Sequence, residues 1–257
     1  MDSQSSRTNS IGSAGEVPSL TVGGVRIDAL SMEGAVRAIL DPERSGAVHL
    51  CNAYTISLAT KDVSLRQRLN RGALNLIDGM PLLWLARRRG FRDLNDRVSG
   101  ADIMASCLDL GRATQVRHYL YGSTPDVVGA LRASIETRWP GVQVVAAESP
   151  PFREFSDEEV AETVRRIEDT GANVVWVGLG TPKQDVEVDR MSAIGGATFV
   201  AIGAAFDFLA GKRRRAPMWL QKSGLEWVYR LALEPRRLWK RYLLGNLRFV
   251  VAVLRSS

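Results

Sequence analysis

The run "LNLIDGMPLLW" is apolar up to Asp78-Gly79, where a carboxylate stands on a turn at the end of a strand. An aspartate there either shapes a turn or cap, since Asp-Gly is a common turn pair, or takes a proton as a general base. A second ambiguous stretch is "GLGTPKQD". Thr181 and Gln184 have the Ser/Thr-x-x-Glu/Gln spacing with Pro182 between them, which predicts a helix start. Gly178 and Gly180 begin a dinucleotide fingerprint that lacks its third glycine. Ser99 and Asp102 in "RVSGADIM" repeat the capping spacing, and Arg97 just before them is either a surface charge or an anion anchor. Asp185, Glu187 and Asp189 stand two apart. On a helix such residues do not converge on a metal and read as a solvated face.

The remaining reactive residue types carry less. His49 and His118 fall within strands and read as structural, and no Ser/His/Asp ordering suggests a nucleophilic triad. Cys51 and Cys107 sit in apolar stretches without C-x-x-C spacing, so neither a disulfide framework nor a zinc site is expected, and the compartment is reducing.

These residues need elements to hold them. Short β-rich runs alternate with longer amphipathic stretches along the 257 residues. "SLTVGGVRIDAL" reads as a hairpin and Met32 to Leu40 as a helix. The runs "AVHLCNA", "ALNLI", "RHYLYG", "VQVVAA" and "NVVWVGLG" read as strands with helical segments between them, and "TFVAIGAAFDFLAG" as a strand and a turn. This alternation predicts an α/β, Rossmann-like, mainly parallel sheet covered by helices on both faces. Ligands in such sheets bind beyond the carboxyl ends of the strands, here near Asn52, Asp78, Gly122, Gly180 and Gly203.

Three regions follow: a Ser/Gly-rich disordered leader over 1–18, a catalytic core over 19–211, and a basic amphipathic helical appendage over 212–257. No apolar run approaches the 18 or so residues of a transmembrane helix, and the N-terminus lacks the apolar segment of a signal peptide.

The net charge of +6 is uneven: from Lys212 onward twelve Lys/Arg face two acids, Glu226 and Glu234, so the rest of the chain is net negative. In that tail Trp227, Tyr229, Trp239, Tyr242 and Phe249 alternate with cations, the composition of a helix lying on an anionic membrane surface. A nucleic-acid-binding module would also be basic, but the tail has no reading motif and the body is acidic. A nicotinamide oxidoreductase would share the α/β core, against which stand the incomplete glycine fingerprint and the lack of an acidic residue at a ribose-binding strand end.

The segments "CNAYTISLATKD", "LNLIDGMPLLW", "DRVSGADI", "VGLGTPKQD" and "AIGAAFDFLAGKRRRAPMWLQKSGLEWVYRLALEPRRLWKR" occur in the order and near the spacing of one family. From Val22 to Arg241 the chain resembles the WecG/TagA/CpsF glycosyltransferases. The resemblance implies inverting transfer of a sugar from a UDP-sugar to a polyprenyl-diphosphate-linked saccharide at the inner face of the bacterial membrane, in cell-surface polysaccharide synthesis. It implies Asp78 as the base, ionised at the usual aspartate pKa of about 3.9. Asn52 and Gln184 would contact substrate, and Arg97 would serve as anion anchor. Arg230, Arg237 and Lys240 would hold the diphosphate in place of a metal, so no metal or other cofactor is expected. Relatives use N-acetylmannosamine, its uronic acid or glucose, and a homo-oligomer is left open. The chain departs from the family at Leu50, where a threonine is usual, at Lys240, where an arginine is common, and in "SPPFREF" near Pro150.

Overall fold

A computed structural model of the chain describes residues 17–255, apart from the side chains of Arg237, Lys240, Arg241, Leu244 and Arg255. The expected leader thus falls outside the described residues except for Val17, which packs on the core, and Pro18, whose carbonyl accepts the Ala29 N–H. The strands are β1 (Ser19–Val22), β2 (Val25–Asp28), β3 (Gly46–Cys51), β4 (Leu74–Ile77), β5 (Arg117–Gly122), β6 (Gln143–Glu148), β7 (Val174–Gly178) and β8 (Thr198–Ala201). The helices are α1 (Met32–Leu40), α2 (Ala53–Ala59), α3 (Val63–Arg71), α4 (Met80–Arg88), α5 (Gly100–Leu110), α6 (Pro125–Arg138), α7 (Asp157–Asp169), α8 (Lys183–Ser192), α9 (Ala205–Leu209), α10 (Met218–Lys222), α11 (Glu226–Leu233) and α12 (Pro235–Arg255).

They form one sheet in the order β1-β2-β4-β3-β8-β7-β5-β6, parallel throughout except for β1, which closes the antiparallel hairpin with β2. This is the mainly parallel α/β sheet that the alternation of strand and helix predicts. The central strands are apolar on both faces because helices cover both. Val174 and Trp176 point into one cluster with α1, α5 and α6, while Val175 and Val177 point into another with α7 and α8. The halves β2-β4-β3 and β8-β7-β5-β6 meet at the β3/β8 pair, so the crevice lies beyond the carboxyl ends of β4, β3, β8 and β7.

Helix α8 corrects one expectation. Asp185, Glu187 and Asp189 are buried, not solvated, because α8 is packed between the sheet and helices α3 and α7. Each carboxylate meets its own partner: Asp185 the Nδ1 of His49 at 3.1 Å, Glu187 Arg190 at 3.1 Å, and Asp189 both Arg68 at 2.6 Å and Arg71 at 2.9 Å. Both histidines are indeed interior. His118 accepts the Trp176 indole N–H at 3.2 Å, and burial pulls its pKa down to about 4, so it stays neutral.

The C-terminal helix α12 packs on α2 and is amphipathic in an unusual sense, with apolar residues on both faces. Phe249, expected among the aromatics of a membrane interface, turns inward: Phe249 and Ala252 join Val22, Val25, Ile56 and Leu69 in a third core cluster. Trp239, Leu243, Leu247, Val250, Val251 and Leu254 recur at helical spacing on the outer face and are exposed. Replacing Phe249 by Ala should therefore cost roughly 3 kcal/mol of folding free energy in urea titrations, as for a buried aromatic, whereas Leu247→Ala should stay within about 0.5 kcal/mol.

Candidate active site

Parallel register brings the first two site residues together. Cys51 on β3 is paired with Ile77 on β4, so Asn52 and Asp78 each stand one residue past the paired ends, side by side. The Asp78 N–H donates to the Cys51 carbonyl at 2.8 Å, and the Val98 N–H to the Ile77 carbonyl at 2.7 Å, which brings Arg97 to the same place. The thiol of Cys51 is fully buried and pushed well up by burial and by Asp185, Asp28 and Asp78, so it plays no part as a nucleophile.

Around these residues lies a cleft of about 250 Å³. Asn52, Asp78, Arg97, Ser99, Gly180, Gln184 and Gly203 line it from the sheet side, and Arg213, Arg215, Glu226, Arg230 and Tyr242 from the C-terminal segment. Of the strand ends singled out above, those of β3, β4, β7 and β8 reach it; Gly122, on the outlying β5, is not among its lining residues.

Asp78 does not keep the ordinary aspartate pKa expected for it. Burial, opposed by Arg97 and reinforced by Glu226, pushes it up to about 6. Its Oδ1 lies 3.7 Å from Arg97 Nη1, and its Oδ2 takes a long hydrogen bond of 3.5 Å from Asn52 Nδ2. At pH 7 such a carboxyl is still about nine tenths ionised and is a stronger base than an exposed one.

Asn52 caps α2, its Oδ1 accepting the N–H groups of Tyr54 and Thr55, which leaves only Nδ2 toward Asp78. Ser99 caps α5 as the spacing predicts, but its partner Asp102 does not close the box; Arg215 grips that carboxylate through both Nη atoms, at 2.5 and 2.9 Å. Burial would raise Asp102, yet the hydrogen bonds from Arg215 and Ser99 outweigh it and hold the carboxyl below its usual range.

The expected capping box at Thr181 is not formed. Helix α8 begins after Pro182 with no side-chain cap, and Gln184 reaches back instead to the Gly180 N–H at 2.9 Å. Its amide nitrogen has no protein partner among the described residues and faces the cleft wall beside Gly203.

The cleft's cations are mostly held by internal carboxylates. Arg97 bonds Glu226, and Arg213 lies 2.7 Å from Glu234 and 3.5 Å from Asp207. Arg230 has no ion pair among the described residues; its guanidinium lies 5.3 Å over the Phe208 ring. The side chains of Arg237 and Lys240 lie outside the described residues. Sequence reading missed Arg213, Arg215 and Glu226. A signal was present: the only two acids in the basic tail, Glu226 and Glu234, are the ones that bind cleft arginines.

Because the Asp78 carboxyl titrates at about 6 when folded and near 3.9 in an unfolded chain, the folded state holds that proton more tightly, and ionising it costs stability. The cost is absent below about pH 4 and complete above about pH 7. Asp78→Asn should accordingly be more stable than the parent by roughly 1 to 3 kcal/mol in urea titrations near pH 7.5, and lose that advantage near pH 4.

A cleft at the carboxyl edge of a parallel sheet, with one activated carboxylate facing arginines from a C-terminal segment, suits transfer of a group from an anionic donor. Residues 20–257 match the glycosyl transferase WecG/TagA/CpsF family, nearly the whole chain. The chain belongs to the WecG/TagA/CpsF family of glycosyltransferases, which act in cell-surface polysaccharide synthesis on a sugar donor and an acceptor.

Proposed function

We propose that the cleft moves a sugar from a UDP-sugar to the saccharide of a polyprenyl-diphosphate-linked acceptor, with inversion at the anomeric carbon. The observation that carries this reading is the half-buried, activated Asp78 in a cleft whose opposite wall supplies Arg230. In the proposed reaction Asp78 takes the proton of the acceptor hydroxyl as its oxygen attacks the anomeric carbon. The bond from that carbon to UDP breaks on the opposite side, and UDP leaves with the electron pair. Asn52 Nδ2 orients the Asp78 carboxylate, and the free amide of Gln184 contacts the donor. Negative charge grows on the leaving diphosphate, and planar guanidinium groups suit it. Arg230, not committed to a carboxylate, takes that part with Arg237 and Lys240; Arg97 supports the same field. N-acetylmannosamine, its uronic acid and glucose are the candidate sugars.

Asp78→Asn and Asp78→Ala should lower kcat by about 10² or more while UDP-sugar affinity, followed by calorimetry, changes little. Near-parental turnover in folded Asp78→Asn would exclude the base assignment.

We further propose that residues 212–257 form an appendage that completes the cleft and docks on the inner face of the cell membrane, where a lipid-linked acceptor resides. No described helix is long and apolar enough to cross a membrane. Support comes from the surface of the tail, where Met218, Trp219, Leu233, Trp239, Leu243 and Leu247 are exposed in a segment that carries twelve Lys/Arg. Apolar side chains between cations fit an interface of acyl chains and anionic head groups. Joint replacement of Trp239, Leu243 and Leu247 by Ser should weaken flotation with anionic vesicles at least about tenfold, and parental binding should decline as salt rises. Unchanged flotation of that variant would remove the docking role from this face.

A further inference from the structure

Arg97 has a carboxylate on either side and has paired with one of them. Its Nη2 donates a hydrogen bond to Glu226 Oε2, while its Nη1 stays 3.7 Å from Asp78 Oδ1, beyond hydrogen-bond distance. The backbone positions of Arg97 and Asp78 are set by the sheet, through the Val98 and Asp78 N–H bonds to β4 and β3, and the gap left between them is one that the Arg97 side chain can close. What decides the pairing is Glu226, the first residue of α11.

That helix is seated by a close approach. Gly224, two residues earlier, has φ +76°, and a Cβ there would meet the Trp84 ring at 2.7 Å and Met80 Cβ at 3.2 Å. Both residues belong to α4, which begins directly after Asp78-Gly79. The tail therefore registers on the helix that follows the carboxylate, and a larger residue at the contact would strain the backbone and displace the Trp84 ring.

Resting on the reading of Asp78 as the base, we infer that Glu226 is a positioning residue for it: by engaging Arg97, it keeps the guanidinium from closing a full ion pair on Asp78 and leaves that carboxylate open to the acceptor hydroxyl. A carboxylate held bidentately by arginine has its lone pairs engaged and accepts a proton poorly. The charged groups that act on Asp78 are Arg97 and Arg230, which lower its pKa, Arg215, and Glu226, which raises it; Asn52 adds one amide hydrogen bond. Taking Glu226 away removes a negative neighbour and releases Arg97 toward Asp78. Both changes act in the same direction, toward a weaker base. In this role Glu226 acts on the acceptor through Arg97 and Asp78.

The experiment is the pH dependence of kcat and kcat/KM for the full-length enzyme, with a UDP-sugar and a lipid-linked acceptor, in the parent, Glu226→Gln, Glu226→Asp and Asp78→Asn proteins. Glu226→Gln should move the acid limb down by about one pH unit and lower plateau kcat about three- to tenfold, with the UDP-sugar KM within about twofold. Glu226→Asp, which keeps the charge, should return the limb most of the way. In an Arg97→Gln background, the same Glu226→Gln change should lower kcat by less than about twofold, since there is no guanidinium left to hold back.

A purely structural contact would lower activity equally at all pH values, or leave it unchanged, because glutamine keeps the shape and a hydrogen-bonding oxygen. An unmoved acid limb in Glu226→Gln, or fully additive losses with Arg97→Gln, overturns the inference while an inactive Asp78→Asn keeps the base assignment. Activity surviving in Asp78→Asn overturns the base assignment itself.

Discussion

A carboxylate drawn partly out of water is costly unless its surroundings answer it, and the groups around Asp78 bear on that cost. Its partners give only a partial answer: one long amide hydrogen bond from Asn52 and an arginine that stands off at 3.7 Å. Tighter pairing would stabilise the fold and blunt Asp78 in the role of base proposed for it. The protein thus keeps a group in an uncomfortable state by limiting the help it receives, a common way for an active site to hold reactivity against stability.

This arrangement depends on the topology of the sheet. Asn52 and Asp78 are neighbours because β3 and β4 run parallel and in register to their last paired residues. Gln184 and Gly203 approach from the other half of the sheet, after β7 and β8. Only a parallel sheet whose halves meet at one crevice can bring four successive strand ends to one place. The sheet cannot supply the opposite wall, which comes from a segment more than a hundred residues later than Asp78 in the chain.

The elements that could be read beforehand were those governed by local rules. Helix α1 runs over the residues that its apolar spacing marks, and the strand ends near Asn52, Asp78, Gly180 and Gly203 do line the cleft. What escaped was decided by long-range partners. Alternating acids on α8 look solvated until Arg68, Arg71, Arg190 and His49 are placed around them. Phe249 looks like its exposed neighbours because α12 is apolar on two faces, and only α2 tells them apart. The Thr181 box failed because Gln184 found the Gly180 N–H instead, a competition that spacing cannot rank. The pKa of Asp78 was illegible for the same reason, since it is set by burial and by residues as distant as Glu226.

The meeting of α12 with the hairpin has a bearing on how the protein comes into being. A Cβ on Gly23 would lie 3.4 Å from the Cβ of Ala252, and Phe249 shares a cluster with Val22 and Val25. Residues near the two ends of the described chain thus close one cluster, and every strand is synthesised before the helix that completes it. On the ribosome the sheet can form while α2 and the hairpin wait uncovered, and such contacts between distant residues come late and slowly. The growing chain therefore carries half a cleft, without Glu226 or Arg230, until α11 emerges. Translation itself delivers the sheet before the helices that close the cleft.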